Sequence, residues 1–111
     1  MSSIKHFTRI QTGKEFNSVY KHATKTWHTP YFVLFYKKND LYKVGFVASK
    51  KIGNAVHRNR AKRLLRAHFI ENTDLLSHGS YVLVAKPALI DENYQVTRKA
   101  FLHALKKCSA I

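Results

Sequence analysis

Six carboxylates, seven histidines and one cysteine are the side chains with which this 111-residue chain could run chemistry of its own. Their spacing argues against a protein-only active site. A metal-dependent nuclease gathers carboxylates around its cation, whereas Glu15, Asp40, Glu71, Asp74, Asp91 and Glu92 are scattered and only the last two are neighbours. That pair suits the start of a final helix, where negative charge meets the positive end of the dipole. His6, His22, His28, His57, His68, His78 and His103 show no close metal spacing such as H-x₃-H. A two-histidine ribonuclease would need the fold to bring two of these rings together. Cys108 stands alone, so it makes neither an internal disulfide nor a zinc site, and it reads as an incidental thiol of a chain from a reducing compartment. The expectation is no catalytic residue and no metal ligand set.

The cations are organised instead. Twenty Lys and Arg stand against six Asp and Glu, a formal charge of +14 with a pI of about 10.2, and such an excess repels itself unless the usual partner is a polyanion. Between Asp40 and Glu71 there is no acid, yet the interval holds Lys43, Lys50, Lys51, Arg58, Arg60, Lys62, Arg63 and Arg66. At about 100° per residue, Arg58, Asn59, Lys62, Arg63 and Arg66 fan across one side of a helix with Arg60 beyond them, while Ala61, Leu64, Leu65 and His68 gather on the other. A solvated face normally intersperses glutamates that pair at i,i+4. Here nothing local neutralises the charge, and the guanidinium fork matches phosphate oxygens at two points. The face reads as a nucleic-acid contact rather than an ordinary wet surface, although charge alone leaves RNA and DNA undistinguished. A non-catalytic, ribosomal-type RNA-binding protein is the alternative reading. Lys43-Val44-Gly45-Phe46-Val47 only faintly resembles an RNA-recognition-motif strand, whose aromatic pattern and element order are missing.

The elements that must position these residues can be read from caps and periodicity. Thr12-Gly13-Lys14-Glu15 is a capping box opening a helix to about His22, with Phe16, Val19, Tyr20 and Ala23 on one face. Tyr31 to Lys37 and Tyr42 to Ser49 read as strands, and Lys38-Asn39-Asp40 suits a turn that would pair them antiparallel. Asn54 caps a second helix to about Ile70, Ser80 to Lys86 alternates as a strand that Pro87 ends, and Asp91 or Asn93 caps a last helix to about Lys107 with Tyr94, Phe101, Leu102 and Leu105 inward. The order is roughly αβββαβα: a small α+β domain over residues 1–111. Its 45% hydrophobic and 13% aromatic content exceeds what a disordered basic tail carries. No secretory signal or membrane span shows, the longest apolar run being Tyr31 to Tyr36. Phe16 and Tyr20 lie one turn apart and can offer rings to unstacked bases, or else pack as core. In the first strand Phe32, Leu34 and Tyr36 share one face, and Tyr31, Val33 and Phe35 the other; alternation does not choose which is core. Trp27 and Tyr31 could also stack on bases, with Trp27 in a stretch that reads as irregular.

Ala48-Ser49-Lys50-Lys51-Ile52-Gly53-Asn54-Ala55-Val56, Arg58-Asn59-Arg60, Lys62-Arg63-Leu64 and Arg66 closely resemble the signature of the bacterial ribonuclease P protein subunit family, departing only at His57 and Ala61. The flanks agree, so the resemblance covers nearly the whole chain. It implies an α/β sandwich with a left-handed βαβ crossover, an exception to the right-handed rule. It further implies that a large RNA with bound Mg²⁺ hydrolyses precursor tRNA to release the 5′ leader, and that this chain supplies no nucleophile. Lys50, Lys51, Asn54, Arg58, Asn59, Arg60, Lys62, Arg63 and Arg66 would face that catalytic RNA. Phe16, Tyr20 and, by the same resemblance, Phe35 would hold the single-stranded leader. No obligatory protein partner and no membrane are implied, and the cytoplasm is the expected compartment.

Overall fold

A computed structural model describes residues 7–108 and Ala110. The strand Gly79–Ala85, GSYVLVA, is buried at every residue but Val84, so both of its faces need cover and both of its edges need a partner. Phe32–Lys37 lies along one edge, antiparallel, with Leu34 opposite Leu83; Tyr42–Val47 lies along the other, parallel, with Phe46 opposite Leu83. Lys25–His28 adds to the first neighbour and the two-residue strand Thr8–Arg9 to the second. In chain order these are β1 (Thr8–Arg9), β2 (Lys25–His28), β3 (Phe32–Lys37), β4 (Tyr42–Val47) and β5 (Gly79–Ala85), arranged β1-β4-β5-β3-β2.

Helix α1 spans Gly13–His22; a 3₁₀ turn at Lys50–Ile52 leads into α2, Ala55–Glu71, which joins the parallel neighbours β4 and β5 as a βαβ unit; α3, Ala88–Asp91, and α4, Tyr94–Lys107, close the chain. Alternation along the strands divides the sheet into two faces. Phe32, Leu34, Tyr36, Val44, Tyr81 and Leu83 share a core with Ala61, Leu65 and Phe69 of α2 and Phe101, Ala104 and Leu105 of α4. Val82 and the half-buried Phe35, Val47 and Val84 point the other way, to Phe16 and Val19 of α1 and to Ile10. The mixed α+β class and the order of the main elements match the expectation from the sequence.

The strands flanking Lys38-Asn39-Asp40 do not pair with each other. β5 stands between them, because the strand buried along nearly its whole length takes the centre of the sheet. The turn is fastened to β5 instead: Asn39 Nδ2 donates to Ser80 Oγ (3.1 Å) and Gly79 N donates to Leu41 O (2.5 Å), while Leu41 N donates to Asn39 Oδ1 (2.9 Å) within the turn itself. Trp27 is not in irregular chain but in β2, an edge strand with one partner. The strand expected to reach Ser49 stops at Val47, since Ser49 caps the 3₁₀ turn. Of the two candidate caps for the last helix, Asn93 serves, its Oδ1 accepting from Gln95 N at 2.8 Å; Asp91 closes α3, and Glu92 accepts from Tyr31 Oη at 3.0 Å. Among the described residues no helix is long and apolar enough to cross a membrane.

Candidate nucleic-acid interface

The cationic face begins at a turn that the sequence fixes locally. Gly53 takes φ 136°, a backbone conformation that favours glycine, and its N–H donates to Lys50 O at 3.1 Å. Asn54 then caps α2, its Oδ1 accepting from His57 N at 3.1 Å. Arg58, half-buried, donates from Nη1 to Gly53 O at 3.1 Å. Asn54 and Arg58 therefore have a structural duty in the turn, which spacing did not reveal for Arg58.

Burial of Ala61, Leu65, His68 and Phe69 turns the opposite side of α2 outward, leaving Asn59, Arg60, Lys62, Arg63 and Arg66 exposed, with Lys50 and Lys51 exposed on the preceding turn. Two ion pairs form among the described residues, Lys43–Glu15 at 2.5 Å and Arg98–Glu71 at 3.6 Å. Neither draws on this face. Asn59, Lys62, Arg63 and Arg66 ring a hollow of about 430 Å³ together with Arg9 of β1 and Phe46 of β4. The Arg9 guanidinium lies 6.0 Å from the Phe46 ring centre, and Phe46 rests edge-on against Phe69 at 5.8 Å. Arg9 and Phe46 were not among the sequence candidates: only the pairing of β1 with β4 carries Arg9 there, and a two-residue strand has no periodicity to announce it. Arg60 stands about 100° round the helix from Asn59, outside the hollow.

Phe16, Tyr20 and Phe35 come together on the other face of the sheet. The Tyr20 and Phe35 rings meet edge to face at 4.9 Å, and Phe16 lies 6.5 Å from Tyr20. Tyr20 remains 36% exposed, and Phe16 and Phe35 are half-buried. The choice left open by alternation is settled: Phe32, Leu34 and Tyr36 are core, and Phe35 faces α1. Phe16 packs against Gly45, where a Cβ would stand 2.7 Å from its Cζ. The start of α1 is held by Glu15, whose N–H donates to Thr12 Oγ1 (3.1 Å) and whose Oε1 accepts from Gln11 N (3.2 Å). Lys43 hydrogen-bonds the same carboxyl, and that contact first, then Gln11 N–H, holds it below the usual carboxylate range. Trp27 and Tyr31 do not join this trio. Trp27 meets His103 (5.7 Å) and the Lys107 ammonium (5.7 Å) on α4, and Tyr31 is tied to Glu92.

Three of the histidines have polar structural partners, and His6 lies outside the described residues. His57 Nδ1 is 2.8 Å from Asn54 Oδ1 and His78 Nδ1 is 2.5 Å from Asn39 O. His68 is fully buried with Nε2 2.9 Å from Thr97 Oγ1, stacked on Tyr94 at 4.3 Å, and burial lowers its pKa. Among the described residues no three His, Cys, Asp or Glu side chains gather to hold a cation.

A family model for Ribonuclease P matches residues 4–109. The chain belongs to the ribonuclease P protein family. Among its curated relatives, the ribonuclease P protein component of a Nitratiruptor species is 51% identical over 86 residues, 78% of each chain, and that of Bacillus velezensis is 32% identical over 108 residues, 96% of this chain and 93% of the other. A Staphylococcus aureus ribonuclease P protein variant superposes with a TM-score of 0.83 at 27% identity, over 93% of this chain and 89% of that one. The Thermotoga maritima ribonuclease P protein gives 0.78 at 26% identity, over 90% and 96%. The chain is the protein subunit of ribonuclease P, one part of a tRNA-processing endonuclease complex, and it associates with the ribonuclease P RNA.

Proposed function

We propose that the exposed face of α2, with Lys50 and Lys51 before it, docks this ribonuclease P subunit onto the catalytic RNA, and that Phe16, Tyr20 and Phe35 hold the single-stranded 5′ leader of precursor tRNA. The RNA performs the hydrolysis that frees the leader and leaves a mature 5′ phosphate, and Mg²⁺ belongs to the RNA. In this reading the protein works in the cytoplasm and needs no further protein chain.

One observation carries the reading: Arg60, Lys62, Arg63 and Arg66 are exposed with no described carboxylate in ion-pair reach. Neutralising phosphates releases condensed counterions, so such a face gains affinity from a polyanion whatever its sequence. The aromatic trio suits the second role because every base has a face to stack on, which makes the contact tolerant of leader sequence. Two surfaces on opposite faces of one sheet can engage the ribozyme and its substrate at once.

The test is reconstitution. Purified protein is added to a bacterial ribonuclease P RNA at low Mg²⁺ and cleavage of precursor tRNA is followed. The expected result is cleavage with RNA and protein together and none with protein alone. If the mixture leaves precursor tRNA intact, the holoenzyme role is wrong; if the protein cleaves it unaided, the assignment of catalysis to the RNA is wrong.

A further inference from the structure

We propose that the hollow between β1, β4 and the middle of α2 is a seat for one unpaired nucleotide of the catalytic RNA. The inference rests on the docking reading above and sharpens it. A duplex backbone asks only for an outward row of cations, since its phosphates line the outside of a cylinder. Here Arg9, Lys62, Arg63 and Arg66 instead surround a depression of about 430 Å³ with an aromatic side chain in its lining, a size within the range of small-ligand pockets. Four cations share it without a described carboxylate partner. A single phosphate among them offsets the mutual repulsion of all four and accepts from several guanidinium donors.

The remaining lining suits the rest of a nucleotide. The Arg9 guanidinium lies within cation–π reach of Phe46, and guanidinium planes and aromatic rings are the surfaces on which splayed-out bases stack. Phe46 is braced from behind by Phe69, so this wall is ordered before anything binds. The amide of Asn59 carries both donors and an acceptor with which to meet a base edge. Phe16, Tyr20 and Phe35 point from the other face of the sheet, so the seat is separate from the leader site.

Two measurements on the full-length protein decide the matter. In the first, ¹⁵N-labelled protein is titrated at fixed ionic strength with inorganic phosphate and, separately, with adenosine 5′-monophosphate. The Asn59 side-chain amide and the Nε–H signals of Arg9, Arg63 and Arg66 are expected to move together and saturate, with the nucleotide at least about fivefold tighter than phosphate because stacking adds to the ionic contact. Equal affinity for the two probes, or shifts spread evenly over the surface cations, overturns the seat. In the second, Arg9→Gln is expected to weaken binding to the catalytic RNA about tenfold and to make the log–log salt slope shallower by about 0.7 to 0.9, while Lys107→Gln, on α4, binds as wild type does. If Arg9→Gln binds normally while the double change of Arg60 and Arg63 to Ala weakens binding, the seat fails and the docking surface stands. If both bind normally, the docking reading fails and takes the seat with it.

Discussion

Gly45 sets how deeply Phe16 sits on the sheet, and replacing it tests whether that depth matters to substrate. A methyl group at Gly45 would stand 2.7 Å from Phe16 Cζ, and closer still to Cε1, so the ring must withdraw by about 1 Å to bring Cε1 to an ordinary 3.4 Å contact. It cannot slide freely. Val19, buried one turn behind, and the Glu15–Lys43 pair at 2.5 Å hold α1 to the sheet. The strain falls in the range of a small-to-large change in a packed site, about 1 to 3 kcal/mol. Displacement of Phe16 also disturbs Tyr20 and Phe35, its neighbours in the trio. Gly45→Ala is therefore expected to lower the urea midpoint and, in the reconstituted holoenzyme, to weaken precursor tRNA by roughly tenfold while sparing mature tRNA, which has no leader to lose.

The control is a double-mutant cycle with Phe16→Leu, which shortens the side chain that collides. If the collision is the cause, Gly45→Ala costs much less in the Phe16→Leu background, with a coupling of at least about 1 kcal/mol in stability and recovery of part of the precursor preference. Additive effects, or equal losses for precursor and mature tRNA, would refute the reasoning and leave Phe16 and Gly45 as core residues with no part in the leader site.

Three further outcomes follow from the charge map and the core. Changing Arg60 and Arg63 to Ala together should make the salt dependence of binding to the catalytic RNA shallower by about 0.7 to 0.9 per lost phosphate contact; an unchanged log–log slope means that neither side chain touches phosphate. Asn59→Glu places a carboxylate three and four residues before Lys62 and Arg63, so the free protein should gain about 0.2 to 0.5 kcal/mol per pair in thermal or urea unfolding while affinity for the RNA falls tenfold or more; a variant that is more stable and binds as well removes the case for an unpaired face. His68, its pKa lowered first by desolvation in the core, refuses a proton that the unfolded chain accepts. Its stabilising effect is thus complete above the unfolded value of about 6.5 and is lost as pH falls from there towards the lowered folded value. Unfolding free energies measured from pH 8 to 5 should decline less steeply for His68→Gln than for wild type, and parallel curves would show that this ring does not govern the acid limb.

What was legible in the sequence was local. Thr12 and Asn54 could be read as caps, and Asn93 as one of two candidates with Asp91, because a cap is decided within three residues, and each of the three does accept from a backbone N–H of the first turn. The two sides of α2 could be read because helical angle is a function of residue number alone. Strand partnership was not legible, because it depends on which strands compete for the centre. The short polar turn at Lys38-Asn39-Asp40 suggested a hairpin, yet the run Tyr81 to Ala85, apolar on both faces, claims a neighbour on each side. A strand of that composition was the available sign that its neighbours would be separated. Lys25–His28 gave no sign at all: three of its four residues are exposed, and only its pairing with β3 makes it a strand. Arg9 was lost for the same reason, since its place beside Phe46 follows from β1 meeting β4 and from nothing within Thr8–Arg9 itself. The resemblance supplied Phe35 as a leader residue where alternation left two choices, and the split of the core clusters puts it on the α1 face.

The placement of the few acids explains why a protein with so many cations can fold and still keep one face uncompensated. Glu15 pins the start of α1 to Lys43 of β4. Glu71 meets Arg98 and so joins the end of α2 to α4. Glu92 accepts from Tyr31, tying the segment between α3 and α4 to the start of β3. Each of these carboxylates fastens one element to another. Exposed pairs of this kind contribute little stability singly, so their value here lies in register: they fix α1 over Gly45 and the end of α2 against α4. None falls on the outward side of α2, between Asn59 and Arg66, where a glutamate would have been the ordinary solution for an exposed helix. Three of the six acids thus stand at joints and none on that helical face, which leaves its cations without local neutralisation, as the docking proposal requires.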